Sequence, residues 1–93
     1  MPRYDDTEQT FEELKARIDK TVAFLEGVDP RALDGSETRE ITLTVGGKPM
    51  PFQGAAYLFR FVLPNFMFHA ATAYDILRHN GVPLEKDDFI GGP

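Results

Sequence analysis

The sequence predicts a small, mainly α-helical domain that carries one β-hairpin, and three observations predict it. Apolar residues recur at steps of three and four in two long stretches, residues 7–26 and 64–80. Between these stretches, Ile41, Leu43 and Val45 alternate with Thr42 and Thr44 ahead of a Gly46-Gly47 pair. The whole chain, residues 1–93, has the length of a single domain.

The first helix is expected over residues 7–26. Phe11, Leu14, Ile18, Val22 and Leu25 fall on one narrow stripe, while Phe24 lies nearly opposite it. Asp6 or Thr7 can cap the start, and Glu8, Glu12 and Glu13 suit the positive end of the helix dipole. Glu13 and Arg17 form an i,i+4 pair, and Gly27 ends the helix. Residues 28–38 read as a loop with turns at Asp29-Pro30 and Asp34-Gly35.

The hairpin is expected over residues 39–52. If Gly46-Gly47 is the whole turn, Val45 pairs with Lys48, Leu43 with Met50 and Ile41 with Phe52. Pro49 and Pro51 then sit at positions whose backbone N–H groups point away from the partner strand, where a sheet tolerates proline. No third strand is expected on that edge.

Residues 54–63 read as a short helix, apolar on nearly every side. Pro64 predicts a break near Leu63 and the start of a second long helix over residues 64–80. Phe66, Ala70, Ala73 and Leu77 form its central stripe, whose small residues let another helix approach closely. Asn80-Gly81 stops it, with Val82 as the apolar contact beyond and Pro83 after. In the tail, Phe89 and Ile90 are candidates to dock, and Gly91-Gly92-Pro93 is expected to fray.

Composition excludes several functions. Ten basic against fifteen acidic residues give a net charge of −5, with no basic cluster to neutralise phosphates, so nucleic acid is not the expected partner. An anionic membrane surface is disfavoured for the same reason. The N-terminus has no apolar signal region, and no apolar run is long enough to span a bilayer. The chain has no Cys, which removes disulfides, thiolate metal sites and thiol nucleophiles, and suits a cytoplasmic protein.

Few residues are candidates for chemistry. His69 leads, because Asn65 precedes it by four residues and shares its helical face, an arrangement that suits a shared metal or substrate. The same position also suits a histidine hydrogen-bonded to a neighbouring helix at the edge of a core. Asn is moreover a weak ligand for transition metals. His79 lies about 15 Å further along the helix at 1.5 Å per residue. The two histidines therefore cannot hold one metal within a monomer, and His79 suits the helix C-terminus as a cation. Asp5, Asp6, Glu8, Glu12 and Glu13 serve capping and solubility, and Asp87 and Asp88 a solvated turn. Ser36, the sole serine, has no His near it in sequence. Gly46-Gly47 closes a hairpin and does not form a phosphate loop.

Taken together, three stretches resemble a known family: DTEQTFEELKARIDKTVAFLEGV, REITLTVGGKPMPFQGAAYL and LPNFMFHAATAYDILRHNGVPLEKDDFIG. They are similar to the C-terminal half of the uncharacterised domain of unknown function numbered nineteen ninety-three. That family resembles the DinB/YfiT-like superfamily of four-helix bundles, many of them regarded as metalloenzymes. The most specific blocks are Pro64-Asn65-Phe66, Phe68-His69 and Leu77-Arg78-His79-Asn80-Gly81. The resemblance implies half of a DinB-like four-helix bundle, with two further helices expected ahead of Asp5 in a typical member.

The resemblance also implies a metal site, since superfamily members use one His on the second helix and a His-x-x-x-His pair on the fourth. Here that pair falls at Asn65 and His69, and the second-helix ligand has no counterpart. No cofactor is therefore expected from the chain's own residues, although the superfamily implies a divalent metal. The expected function is that of a non-catalytic, self-associating helical module or fragment, with a homodimer completing the bundle. The alternative is a DinB-like metal-dependent enzyme acting on small molecules. The dimer interface is expected to include Phe59, Phe66, Ala70 or Ala73.

Overall fold

The structure is a computed structural model that describes residues 2–92, so the fraying expected of Pro93 lies outside the described residues. The chain divides into two compact units, residues 1–34 and 35–93.

In the first unit, helix α1 spans Phe11–Glu26, four residues shorter at its start than the expected 7–26. The cap explains the difference. Thr10 Oγ1 accepts a hydrogen bond from the Glu13 amide at 3.2 Å. The Glu13 carboxylate turns back to accept from the amides of Thr10 at 3.1 Å and Gln9 at 2.6 Å. This reciprocal capping box satisfies donors that a helix start otherwise leaves open, so Thr10 is the cap and not Asp6 or Thr7. Glu13 is thereby engaged, and the expected Glu13–Arg17 pair does not form. Arg17 reaches back instead to Glu8 at 2.7 Å and Asp6 at 3.1 Å. After Gly27, Asp29 caps a 3-10 turn, Pro30–Leu33, its carboxylate accepting from the Arg31 amide at 3.0 Å.

The second unit opens with a 3-10 turn, Ser36–Thr38, and the hairpin of β1 (Glu40–Val45) and β2 (Lys48–Gln53). Its register is the expected one: Val45 opposes Lys48, Leu43 opposes Met50 and Ile41 opposes Phe52. Gly46 and Gly47 both have positive φ, 56° and 78°, the condition for a tight turn whose twist matches the strands. Among the described residues the sheet has these two strands and no third.

Phe52 carries the hairpin onto the helices. Its ring lies 6.0 Å from that of Tyr57 and 5.9 Å from that of Phe61, and the latter two rings stack at 5.9 Å. Tyr57 belongs to the short helix α2, Gly54–Tyr57.

The break expected near Leu63 is absent. A π-helical turn, Leu58–Val62, joins α2 to helix α3, Leu63–His79, and Leu63 itself is helical at φ −63°, ψ −48°. Pro64 explains the widened turn. In an α-helix its ring would crowd the carbonyl of Arg60 and leave that carbonyl without a donor. Adding one residue to the turn relieves both, and the Leu63 amide bonds the Leu58 carbonyl instead. The stop at Asn80-Gly81 is as expected: the Val82 amide reaches the Leu77 carbonyl at 3.1 Å and the Gly81 amide reaches that of Arg78 at 3.1 Å.

Where a solvated turn is expected at Asp87 and Asp88, the tail forms a short helix, α4, Lys86–Ile90. Glu85 and Asp88 make a second capping box. Phe89 docks edge-on against Tyr74 at 5.4 Å.

Candidate functional site

The face of α3 holds what the second unit has to offer. None of the described hydrophobic side chains is fully buried. On α3, Phe66 is 64% exposed, Ile76 58% and Leu77 50%. A groove of about 440 Å³ runs along this helix. Phe66, Met67 and Leu77 form its walls, Ala70 and Ala73 are the small residues along it, and Leu84 and Phe89 line it from the tail. The alanines are what make the groove, because a one-carbon side chain at each leaves the backbone approachable. Phe59, on the π-turn, is 66% exposed.

Asn65 and His69 sit one turn apart near the start of α3, both exposed. The His69 ring meets the neighbouring Phe68 ring edge-on at 5.3 Å. His79 stands in the last turn of the same helix, beside Arg78. Among the described residues no three His, Cys, Asp or Glu side chains gather closely enough to hold a metal ion. One imidazole and one amide do not make the donor set of a transition-metal centre, which needs at least three protein ligands. The residues present therefore do not fit the metal that the superfamily implies. The purified chain is expected to take up no stoichiometric zinc. Stoichiometric zinc that is lost in His69→Ala would contradict this.

Sequence reasoning missed one feature of the first unit. Residues 2–10 return along α1 as a strap. Arg17 is its anchor, donating to the Asp5 carbonyl at 3.3 Å, to Asp6 at 3.1 Å and to Glu8 at 2.7 Å. The Tyr4 ring lies beneath two cations, 5.3 Å from the Arg17 guanidinium carbon and 5.0 Å from the Lys20 Nζ. The legible signal was the block of acids Asp5, Asp6 and Glu8 ahead of the helix that carries Arg17 and Lys20.

The Glu8 carboxyl is held below its ordinary value, first by its own backbone amide and then by Arg17. A depressed carboxyl adds stability above the ordinary carboxylate range, and that contribution is lost as pH falls through the depressed value. The strap is therefore expected to stay docked at neutral pH and to release on acidification below that range. Amide shifts of Tyr4 and Glu8 report it, and shifts that remain constant through the acid titration would count against it.

A family model described as Domain of unknown function (DUF1993) matches residues 1–90. The chain belongs to this family. A crystal structure of a DinB family member protein from Shewanella denitrificans matches with a TM-score of 0.84 and 36% identity. The match covers 99% of this chain and 51% of that one, so the chain spans about half the length of the structure it matches. No curated protein matches the chain. The family membership and the DinB-like fold agree with the resemblance of the three sequence stretches. Among the described residues, no helix is long and apolar enough to cross a membrane.

Proposed function

We propose that this chain is a non-catalytic, self-associating DinB-like module that works as a homodimer. The groove along α3 carries the reading: a stripe with Ala70 and Ala73 between exposed Phe66 and Leu77 is shaped to receive a helix. The first unit offers a second apolar element, the α1 stripe of Phe11, Leu14, Ile18, Val22 and Leu25. Each copy thus contributes two apolar helix stripes, and two copies contribute the four that a bundle requires.

An open apolar groove such as the one along α3 is rare on a working monomer, because water is a poor solvent for it. The net charge of −5 and the lack of Cys go with a cytoplasmic protein that does not bind nucleic acid. Static light scattering over a dilution series tests the reading. A mass of twice 10.5 kDa supports it, and a mass of 10.5 kDa at every concentration contradicts it.

A further inference from the structure

We propose that the outer edge of β1 pairs with β1 of a second copy, giving a four-stranded antiparallel sheet across a two-fold axis. The proposal rests on the self-association argued above and assigns it a second contact.

The two edges of the hairpin are not alike. A two-residue turn makes Val45 and Lys48 a hydrogen-bonded pair, and bonding then alternates along the ladder. Thr44 opposes Pro49 and Thr42 opposes Pro51 at the pairs between, so the backbone groups of these four residues point outward. On β2 the two outward residues are prolines and have no N–H to donate. On β1 they are threonines, each with a donor and an acceptor. Among the described residues no turn, loop or side-chain hydrogen bond reaches them. Both threonines are exposed. The devices that blunt an edge strand, such as charge, proline or a bulge, are absent from residues 41–45.

The strand is self-complementary. Thr42-Leu43-Thr44 reads the same in both directions, so antiparallel pairing about Leu43 sets each Thr42 opposite a Thr44. Ile41 then opposes Val45 of the second copy and Leu43 opposes its own counterpart. The apolar side chains continue on one face and the threonines on the other. Glu40 falls opposite Gly46, so no like charges meet. Because Pro49 and Pro51 block the far edges, growth ends at four strands. With the α3 contact on the same two-fold axis, the product is a closed dimer and not a fibre.

Hydrogen exchange and cross-linking test the proposal. In the native dimer the Thr42 and Thr44 amides are expected to be protected. Leu43→Cys is expected to oxidise to a covalent dimer, with no other Cys to confuse the result. The double variant Thr42→Pro/Thr44→Pro removes donors that the hairpin itself does not use. It is expected to keep the Leu43 and Met50 amides protected while weakening dimerisation by about tenfold or more.

Three results would overturn the proposal: rapid exchange at Thr42 and Thr44 in a dimer, no cross-link, or a folded proline variant that dimerises normally. If the mass falls with Ala73→Glu while Thr42 and Thr44 are unprotected in the native dimer, this proposal fails alone. If their protection survives Ala73→Glu, the helix-face reading fails alone. A chain that is monomeric at every concentration overturns both.

Discussion

Gly54→Ala is expected to destabilise the hairpin–helix unit by about 3 kcal/mol, at the upper end of what overpacking costs. Gly54 begins α2 directly after β2. A Cβ built there would lie 1.8 Å from the Ser36 carbonyl oxygen and 2.9 Å from its carbon. Both atoms are backbone, so no rotamer change relieves the contact. The 3-10 turn Ser36–Thr38 or the start of α2 must move, and with it the hairpin that leads into Phe52, Tyr57 and Phe61. Intrinsic helix propensity opposes the effect, favouring Ala over Gly by about 1 kcal/mol. The steric cost exceeds this because the clash is with main chain. Gly27→Ala is the control, since its Cβ would meet carbonyl oxygens at an ordinary 3.5 Å. Urea denaturation of both variants checks the prediction. A Gly54→Ala protein as stable as the native one would refute it.

Ala73→Glu is expected to abolish the dimer while leaving the monomer folded. Ala73 is exposed on α3, and Glu is a good helix former, so in a free chain the new side chain extends into water at little cost. In the proposed interface the same carboxylate is buried between apolar surfaces without a partner. Desolvating it costs several kcal/mol, which weakens association by at least about a hundredfold. Circular dichroism should show native helix content alongside a halved mass. Loss of helix content would instead place Ala73 in the chain's own packing. An unchanged dimer would remove Ala73 from the interface.

The elements that local rules govern were legible in the sequence. The hairpin register follows from two glycines and an alternating strand, and it is observed residue for residue. The Asn80-Gly81-Val82 stop is equally local. What escaped involved competition between neighbours. Glu13 had two available partners and took the helix cap, which moved the start of α1 to Phe11 and freed Arg17 for the strap. Pro64 had two available outcomes, a break or a widened turn, and Leu58–Val62 took the second. Helix α4 is five residues long, too short to show a period, and its capping box was the one readable sign. At the candidate site, the spacing of Asn65 and His69 on one helix was legible, and so were the small residues of the α3 stripe. The contribution of Leu84 and Phe89 to the groove was not, because it depends on how the tail folds back within its unit.

The central claim is that a second copy fills the α3 groove, and intermolecular nuclear Overhauser effects test it most directly. A sample mixed from isotope-labelled and unlabelled chains reports contacts between copies alone. The account predicts filtered cross-peaks from the Ala70 and Ala73 methyls to aliphatic or aromatic protons of the other copy. A protein that is dimeric by mass yet shows no such cross-peaks at either methyl would contradict it.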